Sequence, residues 1–169
     1  MLKEERKKIV ISACLGFAFC RYDGGRDKFP FPGNLKRKIT FLPVCPEKEM
    51  GLGIPRFPIR IVEKGKRRRL IQLKTGLDMT RKIKKWREDF LKKLKGISGF
   101  VLKSGSPSCA VSDAKIYSEL KGKRVLRKGQ GFFTEGVLKK FPKNLVIDEK
   151  RLQVIGWKKW LKSIGEGRW

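Results

Sequence analysis

An α/β fold is predicted for this chain: a single domain of three layers around a mostly parallel sheet, with cysteines at the carboxyl ends of its strands. Three observations carry that prediction. Short apolar runs alternate with helix-spaced segments, the pattern of strands joined by crossover helices. Cys14, Cys45 and Cys109 each follow such a run: IVISA, ITFLPV and GFVLKSGSPS, the last with a short polar loop between strand and thiol. Finally, 169 residues with 40% hydrophobic content can close one core without disulfides, and no second globular unit is expected.

Taken in order, residues 8–13 read as a first buried strand. The loop after it carries Arg21, Tyr22, Asp23-Gly24-Gly25 and the segment FPFPGN, where Asp-Gly-Gly and Pro-Gly mark turns. Residues 38–44 form a second strand ending at Cys45, and Pro46 biases that cysteine away from helix. Residues 57–63 and 68–74 read as a hairpin around Lys64-Gly65-Lys66. Asp78 to Lys95 is the clearest helix: Met79, Ile83, Trp86, Phe90 and Leu94 mark one face, Lys and Arg fill the other, and Asp78 can cap the first turn. Gly99 to Lys103 is a third strand leading into SGSPSC. Residues 132–141 suggest a helix, 144–148 a last strand, and Trp157 to Ile164 a short basic helix. There is no internal repeat. Residues 1–150 are read as the domain and 151–169 as a basic Trp/Lys-rich extension, whose Trp157, Trp160 and Trp169, interleaved with Lys158, Lys159, Lys162 and Arg168, either pack on the domain or stack on RNA bases.

Charge is the second message of the sequence. Lys and Arg number 43 against 16 Asp and Glu, a formal net charge of +27. Heat-adapted chains pair Lys with Glu, whereas most of this excess has no acidic partner. RNA is the expected polyanion, against the alternative of a generally basic surface. The start, MLKEERKK before IVISAC, imitates a signal peptide, but five apolar residues fall short of the roughly 7 to 15 of an export signal. No other run approaches the roughly 20 apolar residues of a membrane span. A cytoplasmic location is therefore expected, where thiols stay reduced and four cysteines read as ligands, catalytic groups or core residues before disulfides.

In an open α/β sheet, ligands sit beyond the carboxyl ends of the strands, so thiols placed there can converge from distant parts of the chain. Converged, they hold a metal or are buried structural residues. No C-x₂-C pair is present, which argues against a structural zinc site. Histidine is absent, so acid–base work falls to carboxylates, hydroxyls, thiols or lysines. Thiolate-only ligation suits iron–sulfur clusters, and three cysteines on a [4Fe-4S] cluster leave one iron open as a Lewis acid.

The run SAC with CRYDGG, then PVCPE, then LKSGSPSC, followed by GQGFFTEGVLKKF, resembles the thiouracil desulfidase family up to about residue 150. The resemblance implies that Cys14, Cys45 and Cys109 ligate a catalytic [4Fe-4S] cluster, with Cys20 a buried neighbouring thiol or a fourth ligand. It also implies roles for Glu47 and Ser106. Glu47 can orient or deprotonate a water and Ser106 can donate to a carbonyl or thiocarbonyl; the alternatives are a capping carboxylate and a turn hydroxyl. Arg21, Tyr22 and Asp23 line the mouth or brace the loop. Departures from the family pattern fall at Gly16-Phe17, at Ala110 in place of a glycine, where the added side chain is expected to reshape the pocket, and at Ser118 after Tyr117. Gly129-Gln130-Gly131, before a helix start, offers a weak anion-loop signal. The implied activity is hydrolytic, non-redox removal of sulfur from a thiolated pyrimidine (2-thiouracil, 4-thiouridine monophosphate or 4-thiouridine in RNA), with tRNA as a possible partner and no membrane. A tRNA sulfurtransferase or an RNA-binding protein with a structural metal are the alternatives, and the missing G-x-x-x-x-G-K-[ST] loop weighs against the former.

Overall fold

A four-stranded sheet, parallel throughout, organises the chain, which the computed structural model describes over residues 6–165. Its strand order is β2 (Ile39–Val44), β1 (Lys7–Ser12), β5 (Ile97–Leu102), β8 (Val146–Asp148). Parallel strands need crossover connections, and those connections together with the helices after the last strand cover both faces of the sheet. That is why β1 reads as an unbroken apolar run instead of an alternating one. Ile9 and Ile11 face a cluster containing Leu152, Trp157 and Trp160, whereas Val10 faces Leu91, Phe133 and Val137. The first face is covered by α5 (Glu149–Ile155), α6 (Trp157–Gly165) and Leu35 of the single turn α1 (Leu35–Lys38), the second by α3 (Thr80–Lys93) and α4 (Phe132–Lys140). The result is the expected three-layer α/β arrangement with a mostly parallel sheet.

A second four-stranded sheet adds to that plan. Its order is β4 (Arg67–Gln72), β3 (Ile59–Lys64), β6 (Ala114–Tyr117), β7 (Val125–Gly129), with only β3 and β6 parallel. The β3/β4 hairpin matches the sequence reading; β6 and β7 are only four and five residues long, and nothing in their pattern marks them. Ile61, Leu70 and Ile116 of this sheet pack on Met79 and Ile83, so α3 is held between the two sheets. Helix α3 also carries a buried cation. Arg87 donates to the Phe132 carbonyl and, at 3.0 Å, to Glu135, which ties α3 to α4. Gly136 permits this approach, because a Cβ there would lie 2.8 Å from Arg87 Cδ. Asp78, just ahead of the helix, accepts the Thr80 N–H at 2.9 Å.

At the C-terminal end Trp157 and Trp160 are packed into the core rather than displayed. Trp160 lies against Gly99 of β5, where a Cβ would come within 2.9 Å of the indole. Trp169 and Arg168 lie outside the described residues. No helix among the described residues is long and apolar enough to cross a membrane. Removing a buried indole deletes its packing and leaves a cavity, at a cost of about 3–5 kcal/mol. Trp160→Ala should therefore lower stability by about that amount in urea unfolding, and a loss below about 1 kcal/mol would show that α6 is not integral to the core.

Candidate active site

Strands β2, β1 and β5 are neighbours running in one direction, so their carboxyl ends open on the same edge. Register fixes them side by side: Ser12 pairs with Val44, and Ile11 with Val101. The Ala13 N–H donates to the Val44 carbonyl at 2.8 Å as the chain leaves β1, and Cys14 follows. Strand β2 delivers Cys45 directly, in extended backbone (φ −122) ahead of Pro46, which opens the single turn α2 (Pro46–Glu49). From β5 the chain runs through Lys103, whose N–H donates to Ser12 Oγ at 2.9 Å, to the SPSC loop and Cys109. All these segments meet on a cavity of about 330 Å³, lined by Cys14, Cys20, Cys45, Cys109, Glu47 and Ser106 among others.

The thiols are mutually dependent. Cys20 is pushed up to about 11, first by its hydrogen bond with Cys14, while a bond with Cys45 pulls the other way and burial adds to the rise. Cys45 is raised by its contact with Cys20 and then by burial, and its thiol donates to the Cys20 carbonyl at 3.6 Å. Burial pushes Cys109 up to about 12, against the hydrogen bonds of Ser12 and Ser106. Protonated thiols so close together are a donor set that a cation would deprotonate, since ligation takes the thiolate form.

Glu47 is buried beside them. Its carboxylate accepts from Arg56 Nε at 2.8 Å and from Ser108 Oγ at 3.1 Å, and it makes no helix-capping bond. Arg56 is itself buried and donates to the Cys20 carbonyl at 3.0 Å and the Gly53 carbonyl at 3.1 Å, with Nη2 4.0 Å from Cys45 Sγ. Ser106 Oγ accepts the N–H groups of Ser108 (3.2 Å) and Cys109 (3.0 Å). It is a turn hydroxyl in the Ser-Pro bend, and its side chain also hydrogen-bonds the Cys109 thiol.

A second buried carboxylate, Glu149 of α5, holds the wall from behind. It accepts from Ser104 N (2.6 Å), Ser104 Oγ (2.9 Å) and Lys103 Nζ (2.6 Å). Burial lowers the Lys103 pKa, but Glu149, Asp27 and Cys14 outweigh it and the net shift is upward, so the cavity has a persistent cation on its wall. Arg21 and Tyr22 line the cavity; Asp23 stands back, accepting the Gly25 N–H at 2.9 Å and pairing with Arg21.

Two sequence expectations are corrected here. Gly129-Gln130-Gly131 is not an anion loop. The N–H groups that open α4 are consumed by the SPSC loop: Phe132 N–H donates to Pro107 at 3.0 Å, Phe133 N–H to Ser108 at 2.9 Å, and Thr134 Oγ1 to Cys109 at 2.7 Å. Gly131 is glycine because a Cβ would lie 2.4 Å from the Ser108 carbonyl group. Nor does Ala110 shape the cavity; it is packed with Met79 and Phe132 in the core under the second sheet. Sequence reasoning missed Arg56, Ser108, Lys103 and Glu149. Ser108 lay within a motif already singled out, and Glu149 follows Asp148 in an otherwise basic stretch, but Arg56 in LGIPRFP carries no local signal.

A model of the 2-thiouracil desulfurase family matches residues 9–149. A solved structure described as a [4Fe-4S]-dependent thiouracil desulfidase, TudS, shares 30% identity with this chain at a TM-score of 0.63, covering 88% of this chain and 95% of its own. No match was found among the curated proteins.

The thiol pKa values set a test on metal-free protein. A raised folded pKa contributes stability that is present below the ordinary thiol value of 9.0 and lost as pH rises toward about 11 for Cys20 and about 12 for Cys109. At pH 9.0 the thiolate absorbance of folded protein should therefore be well below that of unfolded chain, and the unfolding midpoint should fall as pH climbs further. Equal absorbance in the two states would show that the thiols are not buried against one another.

Proposed function

The chain belongs to the 2-thiouracil desulfurase family, and from that premise we propose that it is a [4Fe-4S]-dependent desulfidase. It replaces the sulfur of a thiolated pyrimidine, as free base, nucleotide or 4-thiouridine in RNA, with oxygen from water and releases sulfide without net redox change. One observation carries the reading: four cysteines and a buried glutamate line one cavity at the ends of adjacent parallel strands. The atoms balance, since C=S and H₂O become C=O and H₂S, so no oxidant, reductant or ATP is required.

The donor set suits the cluster. It is all thiol in a chain without histidine. Among the described residues no three His, Cys, Asp or Glu side chains close on a point that could hold a single ion, whereas a cluster meets each thiolate with a different iron. The cations Arg56 and Lys103 on the wall offset the negative charge of thiolate ligation. Cys14, Cys45 and Cys109 would hold the cluster, leaving Cys20 as an adjacent thiol. When bound, the cluster supplies a Lewis-acidic iron for the thiocarbonyl sulfur, because three thiolates leave one of its irons without a protein ligand.

The side chains do the rest. Glu47 takes a proton from the water that adds to the thiocarbonyl carbon. Its two oxygens are fixed by Arg56 and Ser108, so the carboxylate is oriented before substrate enters. Ser106, with its oxygen engaged by backbone N–H groups, can aim its proton at the pyrimidine or at the charge developing on the tetrahedral carbon.

Anaerobic reconstitution of single variants tests ligation and chemistry separately. Cys14→Ser, Cys45→Ser and Cys109→Ser should fail to retain iron and sulfide, while Cys20→Ser keeps both. Glu47→Gln and Ser106→Ala should retain the brown chromophore yet release sulfide from 2-thiouracil or 4-thiouridine monophosphate more slowly, by about 10² or more for the lost general base. Wild-type rates in these two variants would place the chemistry elsewhere, and cluster loss in Cys20→Ser alone would overturn the ligand assignment.

A further inference from the structure

A second and larger concavity, of about 1030 Å³, shares no lining residue with the cysteine cavity. It runs between β7 and β8, each an outer strand of its sheet, so its flanks include backbone edges without a strand partner among the described residues. Its side chains are strongly one-signed: Arg68, Arg127, Lys128, Lys143 and Arg151 face a single carboxylate, Asp148. That carboxylate is already engaged, accepting the Arg151 N–H at 2.9 Å as the cap of α5. Arg127 is held by Glu63 through bonds of 3.1 and 2.6 Å. Lys128, Lys143 and Arg151 have no ion-pair partner among the described residues.

Two buried donors sharpen the picture. Trp160 is 2% exposed, lines the groove, and its indole N–H has no acceptor; Arg68 Nε is likewise buried without one. Buried N–H donors without acceptors leave uncompensated positive potential behind the groove wall. Arg68 donates to the Gln130 carbonyl and lies over the Phe132 ring at 5.0 Å, but it has no carboxylate in contact, and burial lowers its pKa. A half-buried cation whose nearest carboxylates, Glu135 and Glu63, are already taken by Arg87 and Arg127 is a place, beside further unpaired cations, where an anion relieves an existing electrostatic cost. A groove walled by such groups across its length suits a chain of anions more than one small ion.

We propose that this groove binds the phosphate backbone of single-stranded RNA. The neighbourhood suits such a role: Val111 and Ser112 of the groove lie just beyond Cys109 in the chain, and Asp148 precedes Glu149, which braces the cysteine cavity from behind. Binding, not turnover, is what is proposed, so the groove stands or falls separately from the desulfidation reading.

Fluorescence anisotropy of labelled oligouridine with the full chain provides the test. Neutralising three or more phosphates should make log K fall with log salt at a slope of about −2 or steeper. The triple variant Lys128→Glu, Lys143→Glu, Arg151→Glu should weaken binding at least about 10-fold at low salt. A control triple with the same charge change on the exposed face of α3 (Arg81→Glu, Lys84→Glu, Lys85→Glu) should weaken it less than about 3-fold. Should the reversal unfold the chain, glutamine at the same three positions must give the same order of effects. Sulfide release from 4-thiouridine monophosphate should be unchanged in the groove variants. Equal losses in the groove and control triples would assign RNA binding to overall charge, and undiminished binding in the groove triple would remove RNA from the groove; either result overturns the proposal.

Discussion

Because β1 pairs in parallel with β2 on one side and β5 on the other, three segments far apart in sequence have to leave the sheet at one edge. Everything else at the site elaborates that constraint. Crossover connections and the helices after the last strand cover both faces of the sheet and keep the middle of its central strands apolar, while the edge where they end is left to polar loops and thiols. Antiparallel pairing of any of these strands would have sent one of Cys14, Cys45 or Cys109 to the opposite end of the molecule.

Around that edge, burial is made tolerable by two carboxylates with complementary tasks. Glu47 faces the cavity and is held by Arg56 and Ser108; Glu149 faces away and anchors Lys103 and Ser104. Removing one partner from a buried pair leaves an uncompensated charge, so these contacts constrain the loops as strongly as packing does. The SPSC loop is fixed in a third way, by the N–H groups that open α4, and the missing side chain of Gly131 lets the two backbones meet. Cys109 thus reaches the site on a loop whose backbone polar groups are largely spoken for.

Strands buried on both faces and the amphipathic α3 were legible in the sequence, since each is an apolar pattern set by what it packs against. The convergence of the cysteines was legible too, because strand direction decides it. Strands β6 and β7 were not, because they are short and β7 is exposed along most of its length, so pairing of β6 with β3 and of β7 with β6 defines them rather than their own pattern. Helix α5 carries its signal in one capping residue, Asp148, the last residue of a strand that looked like the end of the domain. Arg56 and Lys103 escaped for a different reason: in a chain with 43 basic residues, those that turn toward the cavity look like all the others. The groove between β7 and β8 is invisible in the sequence on the same ground, since only the fold separates cations without partners from those already paired.

In the proposed reaction water, not an oxidant or an activated donor, replaces sulfur at a cavity built from these thiols and Glu47. Mass spectrometry of the product formed from 2-thiouracil in ¹⁸O-labelled water by reconstituted protein tests it most directly. The account predicts uracil carrying one solvent oxygen, with sulfide released in equal amount and no requirement for ATP, oxidant or reductant during turnover. Unlabelled product, or sulfide release that depends on an added electron donor, would contradict it.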